Sequence, residues 1–221
     1  MSAGSGLAAV AADLLAPSPD GSPPPGAVLG VATVDGRAEV AAAGRSSAGP
    51  EADLSVDARF DIASVTKVLG TAAAIMRLVG ERQLVLDTPV QRILPTAAVG
   101  AESTVRDLLG HRAGLWEWQP LYLAEDEPFA ALDALPARYP PGSGYHYSDL
   151  GFMLLGRIIE TVTGDALPSA FDELVFAPLA LRASSFRQAG SDAVASSFGD
   201  RAEREMVLSG RPYPVRFGEK G

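Results

Sequence analysis

The chain has 221 residues, no cysteine, two histidines and a formal charge of −9 from 18 basic and 27 acidic side chains. Without cysteine it has no thiol nucleophile, no disulfide and no cysteine-ligated metal site. Nucleic acids and anionic membranes both select a basic surface, so the charge argues against either as the main partner. The length and a hydrophobic fraction of 47% fit one globular domain or two small ones.

The first 25 residues are rich in Ala, Ser, Gly and Pro, and we expect a flexible segment in which the apolar run 7–15 can form a short helix. This run has no basic leader and is interrupted by Asp13, which argues against a secretory signal. No stretch combines the length and the apolar purity of a membrane span. The sequence therefore predicts a cytoplasmic protein.

Residues 27–44 have the pattern of a β-hairpin, because two apolar runs flank Asp35-Gly36. Asp-Gly is a pair that two-residue type I′ turns favour. A two-stranded hairpin is not stable alone in water, so its strands need further partners.

Helical periodicity begins after a polar loop. Apolar residues recur at steps of three and four, which predicts an amphipathic helix over residues 64–79 that ends at Gly80. Further helices are predicted from Ser103 or Thr104 to Gly110, from Ser148 or Asp149 to Gly164, and over 165–176 and 200–208. We divide the chain into the segment 1–25, a domain over 26–187 whose helical part is 59–187, and a polar tail over 188–221.

Lysine usage draws attention to the start of the first of these helices. Only two of the 18 basic residues are lysines, Lys67 and the penultimate Lys220. An arginine keeps its proton in a protein, whereas a lysine can be tuned to act as a base. Ser64 lies three residues before Lys67, on the same face of a helix and at its N-terminus, where developing negative charge is favoured. The alternative is a solvated Ser and Lys on a helix face.

A second candidate constellation lies in the loop before the helix that starts near residue 148. Two prolines and two glycines, within 140–144, form a tight loop that displays Tyr147 next to a helix cap. The Tyr147 phenol can act as an acid or base if a cation such as Lys67 stabilises its phenolate. The alternative is that Tyr147 packs as an ordinary aromatic residue and Asp149 only caps the helix.

Together, four segments resemble the serine hydrolases of the class C β-lactamase, penicillin-binding protein and esterase superfamily. The resemblance covers roughly residues 26–186 and is carried, in order, by Phe60-Asp-Ile-Ala-Ser64-Val-Thr-Lys67, Leu86-Asp-Thr-Pro-Val90, Thr104-Val-Arg-Asp-Leu-Leu-Gly-His111-Arg-Ala-Gly-Leu115 and Tyr147-Ser-Asp-Leu-Gly-Phe-Met-Leu-Leu-Gly156. It implies an α+β fold of the β-lactamase/transpeptidase type. Such a fold has an N-terminal β-hairpin of an antiparallel sheet and a mainly helical domain.

The resemblance also implies an acyl-enzyme mechanism on a small-molecule ester or amide, with no metal and no cofactor. Ser64 is the expected nucleophile, and Lys67 and Tyr147 are expected to share the roles of general base and proton shuttle. The Ser64 backbone N–H is expected to form half of an oxyanion hole. Asp149, Trp116 and Trp118 are candidate substrate-binding residues, although the two tryptophans can equally pack in the core or on the surface. His111 is expected to be a structural residue that closes a helix.

Two departures from the family pattern shape the expectation. Asp149 stands where the β-lactamases carry asparagine, and a carboxylate beside Lys67 favours the charged ammonium, which makes Tyr147 the better base. This change favours esterase-like over β-lactamase chemistry.

The third family motif, Lys-Thr-Gly or His-x-Gly, has no match in the chain, so we expect the C-terminal sheet strands to be missing. The alternative function is therefore a non-catalytic fragment or binding protein. The oligomeric state is left open.

Overall fold

The computed structural model describes residues 4–17, 24–46, 53–124 and 127–186. These residues divide into two units, one that ends at Ile62 and one that begins at Ala63. Within these ranges no helix is both long enough and apolar enough to cross a bilayer. The helix predicted over 200–208 lies outside the described residues.

The described residues of the first unit form a β-hairpin and one helix. Strand β1 (Gly26–Ala32) pairs antiparallel with β2 (Ala38–Gly44), so that Gly26 lies opposite Gly44 and Ala32 opposite Ala38. Helix α1 (Gly4–Asp13) packs against both strands. The hairpin predicted over 27–44 is therefore present, and α1 takes up most of the apolar run 7–15.

The turn of this hairpin differs from the predicted type I′ turn, which needs a positive φ at both central residues. Only Gly36 has one, at +85°. The Thr33 and Arg37 backbones are joined by a 2.9 Å hydrogen bond, so the loop has three residues and ends in a glycine bulge. The Asp35 carboxylate accepts hydrogen bonds from the Thr33 hydroxyl and the Arg37 guanidinium. These bonds across the loop stabilise the observed turn.

The second unit is helical. A π-helical segment, Lys67–Ala72, runs directly into helix α2 (Ala73–Gly80). The remaining elements, in chain order, are α3 (Val90–Ile93), α4 (Val105–Leu109), a 3-10 turn (Leu121–Leu123), α5 (Pro128–Ala134), α6 (Asp149–Thr163), α7 (Leu167–Phe171) and a second π-helical segment (Asp172–Phe176). The helices predicted over 64–79 and 165–176 are both interrupted by wider π-helical turns, which the sequence did not predict.

Helix α6 forms the centre of this unit. Ser148 caps its N-terminus by accepting the Gly151 N–H, and Gly164 ends it with a φ of +78°. Its inner face is completely or almost completely buried along Leu150, Leu154, Leu155, Ile158 and Ile159. Helix α4, which starts with a reciprocal capping box between Thr104 and Asp107, packs against it. The buried face fixes α6 in the core, so the residues at its N-terminus occupy a defined position.

Gly70, in the first π-helical segment, packs directly against the Phe171 ring, and we expect Gly70→Ala to destabilise the protein. A Cβ atom there would lie 2.1 to 2.8 Å from three atoms of the Phe171 ring. Phe171 is 1% exposed and cannot turn outwards without opening the core. Overpacking of this kind costs about 1–3 kcal/mol. Denaturant unfolding should show a lower midpoint with an unchanged slope.

Gly80→Ala is the matched control, because Gly80 ends the same helix and a Cβ there meets nothing within 4 Å. Alanine has a helix propensity about 0.5–1 kcal/mol more favourable than that of glycine, so this variant should be as stable as the parent or more stable. An equal loss of stability in both variants would contradict the packing argument.

Candidate active site

Ser64 lies on the backbone turn that leads into the first π-helical segment. The preceding residue, Ala63, has a φ of +43°, a left-handed conformation that is unfavourable for a residue with a side chain. The Thr66 N–H donates to the Ala63 carbonyl and the Lys67 N–H donates to the Ser64 carbonyl, both at 3.0 Å. Ser64 is therefore held at the start of a helix, three residues before Lys67, as the sequence predicts.

The Lys67 ammonium lies between a hydroxyl, a carboxylate and two aromatic rings. Lys67 Nζ donates to Ser64 Oγ at 3.0 Å and forms an ion pair with Asp149 Oδ1 at 2.6 Å. It also lies 5.1 Å from the centroid of the Tyr147 ring and 5.8 Å from that of Phe152. The Lys67 side chain is only 15% exposed, so these contacts act on it with limited screening by water.

The electrostatics separate the two candidate bases. Burial alone would lower the pKa of Lys67, but hydrogen bonds to Asp149 and Tyr147 together raise it above its ordinary value. Hydrogen bonding to Ser64, and then to Lys67, lowers the pKa of the Tyr147 phenol. Lys67 therefore keeps its proton more strongly than a free lysine, while Tyr147 loses its proton more easily than a free tyrosine. Of the two groups, the phenol is therefore deprotonated in the larger fraction near neutral pH.

The four side chains can support nucleophile activation. The Ser64 hydroxyl accepts a hydrogen bond from the Lys67 ammonium, and the Asp149 carboxylate holds that ammonium in place. The Tyr147 phenol, whose pKa Ser64 and Lys67 lower, is the fourth group. A nucleophile within hydrogen-bond reach of a base that is itself oriented by a third group is the general requirement for covalent catalysis. In the part of the chain that the structure describes, no three His, Asp or Glu side chains are placed to hold a metal ion.

His111 holds the segment that carries Tyr147, a contact that the sequence reasoning missed. Its Nδ1 accepts the Ser148 N–H at 2.9 Å, and its carbonyl accepts the His146 N–H at 2.8 Å. Its ring packs against the Tyr147 ring, with centroids 4.5 Å apart. His111 lies just beyond Gly110, the C-cap of α4, close to the helix end where it is expected. It lies 37 residues from Ser148 in the chain, however, and no local pattern indicates their contact.

The two tryptophans lie on the segment that follows His111. The Trp116 indole N–H donates to the Pro136 carbonyl at 3.2 Å, and the Arg138 guanidinium lies 4.7 Å above its ring. The Trp116 carbonyl accepts the Ser148 hydroxyl at 2.5 Å. Trp118 is partly buried. The structure thus brings Asp149 to Lys67, while the Trp116 indole is engaged with the loop at 136–138. Substrate binding by Asp149, Trp116 and Trp118 stays a prediction.

Comparison with known proteins defines the class of this chain. The family model described as Beta-lactamase matches residues 12–216, so the chain belongs to that family. Among solved structures, it is similar to EstCE1, a hydrolase with promiscuous acyltransferase activity, with a TM-score of 0.67 and 27% identity over 87% of this chain and 54% of that chain. The α+β fold of the β-lactamase/transpeptidase type is therefore confirmed.

Curated relatives point to hydrolases within this family. Esterase EstB from Burkholderia gladioli is 35% identical over 185 residues, which cover 73% of this chain and 44% of the relative. Penicillin-binding protein 4 from Amycolatopsis lactamdurans is 34% identical over 170 residues, which cover 72% of this chain and 44% of the relative. The chain spans less than half the length of these two relatives. The resemblance inferred from the four motifs is confirmed at the level of the family.

Proposed function

We propose that the chain is a serine hydrolase that acts on a small-molecule ester or amide through an acyl-enzyme formed on Ser64. The observation that carries the proposal is the 3.0 Å hydrogen bond from Lys67 Nζ to Ser64 Oγ, beside the Tyr147 ring, whose centroid lies 5.1 Å from Lys67 Nζ and whose phenol has a pKa lowered by Ser64 and Lys67. Membership of the Beta-lactamase family and similarity to Esterase EstB support the same reaction class.

The electrostatics suggest how the proton moves. The Tyr147 phenolate accepts the proton of the Ser64 hydroxyl as Ser64 Oγ attacks the substrate carbonyl, and the Lys67 ammonium stabilises the phenolate. The Ser64 N–H, at the start of a helix, donates to the oxyanion of the tetrahedral intermediate. Tyr147 then gives the proton to the leaving alcohol or amine. In the second half-reaction the Tyr147 phenolate takes a proton from water as the water oxygen attacks the acyl carbonyl. Tyr147 returns this proton to Ser64 Oγ as the bond between Ser64 and the acyl group breaks and the acid leaves.

Asp149 favours an ester over a β-lactam as the substrate. An ionised carboxylate only accepts hydrogen bonds, so it offers no N–H to the amide side chain of a β-lactam. Its oxygen is also engaged with Lys67 at 2.6 Å. Short-chain esters therefore rank first, before D-amino-acid peptides and β-lactams.

A fluorophosphonate probe tests this function, because it phosphonylates an activated serine. We expect one adduct per chain by intact mass and its assignment to Ser64 by peptide mapping. Ser64→Ala should lose the adduct, whereas Ser143→Ala, which removes an exposed hydroxyl from the Tyr147 loop, should keep it. Likewise, Ser64→Ala should lose hydrolysis of p-nitrophenyl acetate, and Ser143→Ala should keep it. A chain that unfolds cooperatively yet forms no adduct would instead support the non-catalytic alternative.

A further inference from the structure

His111 fixes the backbone on both sides of Tyr147. It accepts the N–H of His146 through its carbonyl and the N–H of Ser148 through Nδ1, at 2.8 and 2.9 Å. The imidazole also packs against the rings of Tyr147 and Phe152, with centroid separations of 4.5 and 5.1 Å. These contacts restrict both the main chain and the ring of the residue proposed as the base.

The contact requires one protonation state of the imidazole. Nδ1 can accept the Ser148 N–H only if it carries no proton, so the ring must be the neutral form protonated on Nε2. A protonated imidazole would present an N–H to the N–H of Ser148 and break this hydrogen bond. The backbone conformation is equally specific, because His111 has a φ of +54°, where few non-glycine residues other than Asn, Asp and His are found.

We propose that His111 is a positioning residue for Tyr147, whose neutral Nδ1 holds the phenol against Ser64 and Lys67, and that protonation of the imidazole releases Tyr147 and suppresses acylation. The inference rests on the proposed function, since it concerns the regulation of the same site by pH. It adds His111, which acts through Tyr147, to the set of Ser64, Lys67 and Tyr147.

The surroundings of His111 keep the imidazole neutral at neutral pH. Burial has the largest effect and lowers the pKa of the His111 imidazole. The charge of Lys67 lowers this pKa further, and the charge of Asp149 partly opposes both effects. The other titratable groups that face it are the phenols of Tyr145 and Tyr147. Because the pKa of His111 is lowered, the imidazole gains its proton only in more acidic solution than a free histidine does. Tyr147 is therefore expected to be released at pH values below the pKa of His111.

The test compares the pH dependence of fluorophosphonate labelling at Ser64 in three chains. In the parent, the logarithm of the rate constant should rise with a slope of 1 where only Tyr147 titrates, and steepen towards 2 below the His111 titration. The His111→Asn variant keeps an acceptor oxygen near the position of Nδ1 and tolerates a positive φ but does not titrate. H111N should retain the neutral-pH rate within a few-fold and show a slope of 1 throughout. His111→Leu removes the acceptor and should slow labelling about 10-fold or more above the His111 titration, and this difference from the parent should shrink below it.

The second histidine provides the control. His146 is the only other histidine of the chain, and its ring stacks on Tyr139 at 3.7 Å. H146N should keep the steep dependence of the labelling rate on pH in acid. Because it leaves His111 as the one histidine, its imidazole signal in NMR titrations belongs to His111. A steep limb that persists in H111N, or parent-like labelling of H111L at neutral pH, would overturn the positioning role.

A readout that needs no activity separates this inference from the proposed function. The phenol titration of Tyr147 can be isolated as the ultraviolet difference between each chain and its Y147F counterpart. H111L should raise the pKa of Tyr147 towards its ordinary value, because the phenol is no longer held beside Lys67, while H111N should leave it unchanged. If Ser64 is never labelled but this pattern holds, the proposed function fails and the positioning role stands. If H111L leaves the Tyr147 titration unchanged, the positioning role is wrong.

Discussion

Replacing Tyr147 with phenylalanine is expected to slow acylation of Ser64 by about 10²–10⁴-fold, the usual contribution of a general base. The variant loses the hydroxyl whose pKa is lowered by Ser64 and Lys67, while the ring keeps its packing against His111. Tyr147 is 43% exposed, so removing its hydroxyl should leave the stability of the fold almost unchanged. Single-turnover labelling by a fluorophosphonate as a function of pH measures the effect directly.

The pH profile identifies the base, which a loss of rate alone cannot do. The base must be deprotonated to act, so its titration sets the ascending limb, the pH range in which the labelling rate rises with pH. If Tyr147 is the base, Y147F should lose that limb along with the rate. Because the pKa of Lys67 is raised, a limb carried by Lys67 would lie at higher pH and would survive in Y147F. A surviving limb with only a small loss of rate would assign the base to Lys67 instead.

Tyr145→Phe is the matched control for Y147F. Tyr145 belongs to the same loop and is 65% exposed, and its ring packs nearly perpendicular to that of His111 with the centroids 5.5 Å apart. Its hydroxyl has no part in the proposed proton path, so Y145F should label at the parent rate. A comparable loss in Y145F would show that the loop, rather than the Tyr147 hydroxyl, limits the reaction.

Local patterns in the sequence predicted the elements that position the site. The bounds of α6 follow from the Ser148 cap, the apolar face and Gly164, and each of these signals acts on residues close to it in the chain. The Ser64–Lys67 contact follows from their spacing of three at the start of a helix. These features are determined by neighbouring residues, which is why composition and periodicity were sufficient to find them.

The features that the sequence did not predict depend on contacts between distant segments. Hydrophobic spacing cannot distinguish one π-helical turn from an α-helical turn, and the turn at Gly70 accompanies packing against Phe171, about a hundred residues away in the chain. Helix α3 has only 4 residues, too few for a periodic signal. The bond between His111 and Ser148 likewise joins two segments whose proximity is set by the packing of α4 on α6.

Asp149→Asn is expected to move the ascending limb of Ser64 acylation to lower pH. In the parent, Asp149 raises the pKa of Lys67, and its charge also raises the pKa of Tyr147. Asparagine removes both effects, while burial continues to lower the pKa of Lys67. Whichever of the two groups is the base, it then loses its proton at lower pH. At a fixed pH below the pKa of the base, D149N should be labelled by the fluorophosphonate about tenfold faster than the parent for each pH unit by which the limb shifts.

Asp87→Asn is the matched control for this change. It makes the same substitution in another ion pair, where Asp87 and Arg106 approach to 2.8 Å but both side chains are more than half exposed. An exposed pair contributes little, and this one is not part of the proposed site, so D87N should keep the parent pH profile. If D149N also keeps that profile, the Asp149–Lys67 ion pair does not set the protonation of the base.

The same substitution tests the preference for esters, because asparagine provides the N–H donor that a carboxylate lacks. One additional hydrogen bond corresponds to about 3–10-fold in rate or affinity. D149N should therefore acylate with a fluorescent penicillin about 3–10-fold faster relative to p-nitrophenyl acetate than the parent does. The ratio of the two substrates cancels the change in base strength, since both reactions use the same nucleophile and base. An unchanged ratio would show that Asp149 acts only through Lys67 and does not select the substrate.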